Sequence, residues 1–152
     1  KSESLSPKTF ADWINARCYQ ATESVLRYDG IPIKFTGPGL LCFFSGAGHA
    51  ERGVRTALHM RLIETEPLKV GLCTGEVYFG SIGHPDYARP DVIGETVSIA
   101  LLAMDWAVEN TRAGVVVTAS TMEAMEETVP ASPAIDVHLS GISHAVSLIE
   151  IE

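Results

Sequence analysis

The chain has 152 residues, 46% hydrophobic and 20% charged, a balance that suits one globular domain with a single core. Its net charge of −8 argues against a nucleic-acid groove or an anionic membrane surface as the main partner, since both need a dense basic patch that the sequence lacks. The three well-separated cysteines (Cys18, Cys42, Cys73) fit free buried thiols in a reducing compartment, and neither they nor the 5 scattered histidines show metal-ligand spacing.

Taken in chain order, Ser6-Pro7 is an N-cap with proline at the first helical position. Phe10, Ile14, Cys18, Ala21, Val25 and Tyr28 then recur at steps of three or four, one face of an amphipathic helix that Asp29-Gly30 ends. From Ile31 the chain alternates, with Ile31, Ile33 and Phe35 on one side and Pro32, Lys34 and Thr36 on the other, a half-buried strand. Gly37-Pro38-Gly39 is a tight turn, and residues 40–44 return as the second strand of a hairpin.

After a loop at 45–48, residues 49–64 form a helix with Val54, Leu58 and Leu62 facing inward. Strands at 68–73 and 77–82 join around Gly75-Glu76, and the polar stretch 83–90 is a loop. Val97, Leu101, Met104 and Val108 mark a further helix stripe. Residues 115–118 form a short strand, Ser120 caps a helix reaching about Glu127, and strands at 135–139 and 145–151 flank Gly141. This order predicts an α+β sandwich, helices packed on a mostly antiparallel sheet, as one domain over 1–152. No signal peptide or membrane-spanning run is present, and the chain opens at Lys1 without Met. The expectation is a cytoplasmic domain cut from a longer protein, and any membrane anchor or sensor of that parent would lie outside these residues.

Four stretches then carry a family resemblance. They are DGIPIKFTGPG at 29–39, GLCTGEVYFGSIG at 71–83, PDVIGETVSIALL at 90–102 and LSGI at 139–142. In this order they resemble the hairpin, glycine-rich strand pair, helix start and closing turn of the class III nucleotidyl cyclases. The resemblance implies a ferredoxin-like sandwich of the cyclase type. It also implies a first strand that would precede Lys1, so that a gap in the sheet, or a strand borrowed from elsewhere, is expected.

The family converts a nucleoside triphosphate to a cyclic nucleotide with two divalent ions, Mg²⁺ or Mn²⁺, held by two aspartates. One of those aspartates falls upstream of Lys1, and the other is replaced by Pro38, which has no ligand atom in its side chain. The transition-state Asn and Arg map to Ser98 and Leu102, and the triphosphate Lys maps to Ser140. A leucine cannot neutralise charge building on phosphate. Lys34 and Asp91 do match the base-selecting pair, which implies adenine: Lys donates to a ring nitrogen, and Asp accepts from the exocyclic amine. Each also has a plain structural reading, as a solvated lysine on a strand and as a turn or cap aspartate.

The remaining candidates read as structure. Gly46-Ala47-Gly48 lacks the phosphate-loop signatures and is a connecting loop. Glu95 is a carboxylate meeting a helix N-terminus. His84, Asp86 and Arg89 share a solvated loop. Trp13 and Trp106 are packing or interface residues on helices.

The sequence therefore points to a degenerate cyclase-like domain with no resident metal or cofactor. Its expected partners are a second copy or another cyclase-like domain, with ATP as the ligand. The alternatives are an active adenylyl cyclase with an atypical site, using Mg²⁺ or Mn²⁺, and a purely structural interaction module.

Overall fold

The computed structural model describes residues 6–36 and 39–152, so Pro38 and its neighbour Gly37 in the expected turn lie outside the described residues. Helix α1 spans Pro7–Arg27, and the Ser6 hydroxyl accepts a hydrogen bond from the Thr9 amide at 3.2 Å, as the sequence predicts. Of its apolar stripe, Val25 is buried and the rest are half-buried. The helix ends where Asp29 takes a positive φ of 59°. Gly30 follows because a Cβ there would stand 2.5 Å from the Phe44 ring.

Strands β1 (Ile31–Thr36) and β2 (Gly39–Phe43) pair antiparallel. A bulge between Pro32 and Lys34 breaks the predicted alternation, leaving Ile31 and Phe35 exposed rather than on a buried face. Helix α2 (His49–Ile63) buries Val54 as expected, but Leu62 in its last turn is 85% exposed.

The chain continues through β3 (Val70–Leu72), β4 (Tyr78–Ile82), β5 (Arg89–Ile93) and α3 (Glu95–Asn110). It closes with β6 (Val115–Thr118), α4 (Ala119–Ala124), β7 (Ile135–Val137) and β8 (Val146–Ile151). Two expectations fail in the middle. β3 does not form a hairpin with β4: it pairs parallel to β6, which requires the long crossover through β4, β5 and α3. β4 instead pairs antiparallel with β5, whose first residues, Arg89 and Pro90, fall in the polar, turn-rich stretch expected as a loop. Ser120 is not a cap either; Thr118 holds that position, and the Ser120 hydroxyl donates to the Thr74 carbonyl at 2.9 Å.

The described strands form three ladders: β1-β2, β4-β5 and the four-stranded β3-β6-β8-β7. Four of the five strand pairs are antiparallel, so the mostly antiparallel α+β architecture holds. The four-stranded sheet is covered on both faces, which is why all four β6 residues are buried. On one face Val115, Val117 and Ile151 meet Val54 and Ala57 of α2. On the other, Val116 and Leu148 meet Ile99, Ala103 and Ala107 of α3. The core face of α3 is therefore this small-residue stripe, not the predicted Val97, Leu101, Met104, Val108 stripe, which includes Val108 at 57% exposure. The alanines let α3 approach so closely that a Cβ on Gly71 of β3 would collide with the backbone at Ala100 and Met104.

No ladder joins β2 to β3. Between them lies a cavity of about 610 Å³, lined by β2 and β3 and by residues of α1, α2 and α3. This is the expected gap in the sheet. Among the described residues, no helix is long and apolar enough to cross a membrane.

Candidate functional site

Lys34 on β1 and Asp91 on β5 come from separate ladders, yet Lys34 Nζ lies 3.0 Å from Asp91 Oδ2. The bulge just before Lys34 shifts the register of β1 at the point where this side chain leaves the strand. The other Asp91 oxygen, Oδ1, accepts from the Val92 amide at 2.7 Å. The Lys34 hydrogen bond, followed by the Val92 amide, holds the Asp91 carboxyl below its ordinary range. The Lys34 side chain is half exposed and the Asp91 side chain is 20% exposed, so the pair faces solvent and can meet a ligand. A tilted ring contact between Phe43 and Phe79, with ring centroids 5.3 Å apart, also ties the two ladders together.

The other expected positions are not assembled with it. Ser98 is exposed on the first turns of α3. Leu102, one turn on, is half-buried and packs against the core cluster around Ile99 and Ala103. Ser140 is exposed on the turn before β8, where the Ile142 amide donates to the Leu139 carbonyl at 3.1 Å and Gly141 takes a φ of 82°. Among the described residues, no three His, Cys, Asp or Glu side chains stand close enough to hold a metal ion. At the pair itself Asp91 is one carboxylate already engaged by Lys34 and the Val92 amide, so these two residues alone do not make the oxygen-rich donor set that Mg²⁺ or Mn²⁺ needs.

Glu95 lies in the first turn of α3, as expected, but it also accepts from His144 Nε2 at 2.9 Å. That hydrogen bond, helped by the Ala145 carbonyl, raises the His144 pKa above its usual value. The sequence reading missed His144, because a contact between residues so far apart leaves no local pattern. In the 46–48 loop, Gly46 and Gly48 have φ of 80° and 66°, and the Arg52 guanidinium donates to the carbonyls of Ala47, Asp29, Tyr28 and Ser45. Its donors are spent on the loop backbone, as befits a connecting loop. His84 Nδ1 accepts from the Asp86 amide at 3.1 Å in an exposed loop, and Arg89 opens β5. Trp13 stacks on Phe10 at 5.9 Å, and Trp106 packs on the α3 core cluster. The cysteines are free and half-buried rather than fully buried, and burial pushes the Cys42 thiol to about 11.

No protein-family model matches the sequence, and no curated protein matches it. Solved structures do. The adenylyl cyclase CyaB from P. aeruginosa superposes with a TM-score of 0.85 at 22% identity, covering 99% of this chain and 86% of that one. The guanylyl cyclase Cya2 gives 0.83 at 22% identity, covering 99% and 83%. The guanylate cyclase domain of RhGC from Catenaria anguillulae, solved with GTP, gives 0.84 at 18% identity, covering 99% and 87%. The chain has the fold of these cyclase domains.

Proposed function

We propose that this chain is a degenerate member of the class III nucleotidyl cyclases, a single cytoplasmic domain that acts in signalling through dimerisation and binds an adenine nucleotide without turning it over. The Lys34–Asp91 pair carries the reading, because strands of two separate ladders bring a donor and an acceptor 3.0 Å apart at the positions that the resemblance assigns to base selection. A lysine and an aspartate side by side offer the donor and acceptor that the adenine ring nitrogen and amine require. The fold shared with the cyclase structures supports the same reading.

Turnover lacks its chemical parts. Pro38 has no ligand atom in its side chain, and among the described residues no three His, Cys, Asp or Glu side chains stand close enough to hold a metal ion. Leu102 packs against the core and carries no charge to stabilise a transferring phosphorus centre. Losing one such group typically costs on the order of 100-fold or more in rate. Dimerisation is supported by the β4-β5 ribbon, which exposes Tyr78, Phe79, Ile82 and Ile93. Tyr78 and its cross-strand partner Ile93 share one face of the ribbon with Ile82, and exposed apolar side chains grouped on a marginal two-stranded ribbon favour an interface. The partner is a second copy or another cyclase-like domain.

The test is to incubate the protein with ATP and Mg²⁺ or Mn²⁺, assay cyclic AMP, and measure ATP binding with and without Lys34→Ala. Binding that weakens in the variant, with no cyclic AMP, is expected. Robust cyclic AMP formation would instead make it an active adenylyl cyclase, and no ATP binding would leave a structural interaction module.

A further inference from the structure

The ribbon that carries Asp91 also carries an aromatic ring beside it. In the β4-β5 register Gly80 stands directly opposite Asp91, and Tyr78 stands opposite Ile93. Opposed residues, and residues two apart on one strand, project to the same side of a ribbon. Tyr78, Gly80 and Asp91 therefore share one face, while Phe79 on the other face meets Phe43.

Gly80 brings no side chain to the shared face, and the Tyr78 ring takes the space. A Cβ on Gly80 would stand 2.7 Å from the Tyr78 hydroxyl oxygen, 3.0 Å from its Cζ and 3.2 Å from its Cε1. The phenol is thus folded along the strand, over the bare α-carbon opposite Asp91. Gly80 is half-buried between the exposed Phe79 and Ser81, as a residue beneath a ring should be. The ring itself is 55% exposed, so a flat apolar surface stays open to solvent next to the Lys34–Asp91 pair.

We propose that Tyr78 is the stacking platform of the nucleotide site: the base lies on the exposed ring while Lys34 and Asp91 meet its edge. The proposal rests on the adenine-nucleotide reading of that pair and divides the work within it. Stacking adds affinity without choosing among bases, because every base has a π-face. Selection stays with the donor and acceptor at the edge. Glycine at 80 then serves the site, since a bare strand position allows close approach. Its φ lies outside the left-handed region, and an added methyl would meet only the far end of the tyrosine side chain, which can swing away. Gly80→Ala should therefore keep the fold and push the platform off its place.

An aromatic ring over a strand glycine can also act as a cover that steadies the ribbon, with no ligand involved. The test separates the two roles. ATP binding is measured by isothermal titration for the unaltered protein, Lys34→Ala, Tyr78→Phe, Tyr78→Leu, Gly80→Ala and the double variant Tyr78→Leu/Gly80→Ala. Because Tyr78 also belongs to the face proposed as an interface, circular dichroism and sedimentation check that each keeps its fold and oligomeric state. Tyr78→Phe keeps the ring and should bind as the unaltered protein does. Tyr78→Leu should bind about tenfold more weakly, the scale of one stacked base, and Gly80→Ala should lose a similar factor. In the double variant the two losses should not add, because Gly80→Ala acts through the ring. ATP should also move the Tyr78 ring protons upfield in the NMR spectrum of the unaltered protein.

Full affinity in Tyr78→Leu, with Lys34→Ala weakened, would overturn the platform and leave the pair. So would ring protons that ATP does not move, or a Gly80→Ala loss that persists in full beside Tyr78→Leu, since the glycine itself would then be making room. Weakening by Tyr78→Leu with none by Lys34→Ala would keep the platform and remove the pair. No ATP binding in the unaltered protein would overturn both.

Discussion

Lys34 Nζ and Asp91 Oδ2 meet at 3.0 Å although no ladder joins their strands. The link is electrostatic, and the Phe43–Phe79 contact is apolar, so among the described residues side chains bridge the two ribbons. Because the Asp91 carboxyl is held below its ordinary value, the pair's contribution is present above that value and fades as pH falls through the lowered one. Lys34→Ala should raise the Asp91 titration toward 3.8, the ordinary value, leaving only the Val92 amide to depress it. A carboxyl-carbon NMR titration of both proteins reads this directly, and an unchanged Asp91 would mean that the pair does not persist in solution.

The same substitution tests ligand recognition. Removing one donor from a base-contacting pair should weaken ATP binding about tenfold, the usual scale for a hydrogen bond to a charged group. Asp91→Asn keeps the shape and adds a donor where the adenine amine needs an acceptor, so it should weaken ATP as well. Isothermal titration of the three proteins decides this, and equal affinity in all three would remove the pair from the site.

His144 and Glu95 make a pH-sensitive contact. His144 titrates above its usual value of 6.5, chiefly through the Glu95 hydrogen bond. For a raised histidine, the stabilisation is full below the unfolded value and is lost as pH rises through the folded one. Glu95→Gln should bring the His144 titration down toward 6.5, seen in its ring-proton shifts, and should flatten the loss of stability on the alkaline side of that value. An unshifted His144 in the variant would contradict the assignment.

The core account is tested at Leu148, which is 1% exposed on the α3 face of the four-stranded sheet. Leu148→Ala should cost about 2–5 kcal/mol, a lost transfer term plus a cavity. Urea unfolding measures it; a cost below about 1 kcal/mol would place Leu148 outside the packed core.

Local signals are legible in the sequence. Ser6 and Pro7 set the start of α1 by an identifiable cap, and the β7-β8 hairpin follows alternating residues around Gly141. What failed depends on distant partners. Nothing in Val70, Gly71 and Leu72 says that they pair with β6 rather than β4, and Pro90 in β5 is tolerated only because it lies in a two-stranded ribbon with an open side. The core face of α3 escapes a search for large apolar residues because alanines carry the close contact while larger residues line the cavity. Lys34 and Asp91 became a pair through family resemblance; spacing alone would have left them as two surface charges. Pro38 stands as a fact of the sequence, beyond the described residues.

The central claim is nucleotide contact without turnover, and one assay tests it most directly. Saturating ATP with Mg²⁺, and separately with Mn²⁺, is incubated with the protein, and product is followed by chromatography over hours. The account predicts intact ATP and no cyclic AMP above a protein-free control, even at protein concentrations that favour the dimer. Sustained cyclic AMP formation that scales with protein and is lost in Lys34→Ala would contradict it.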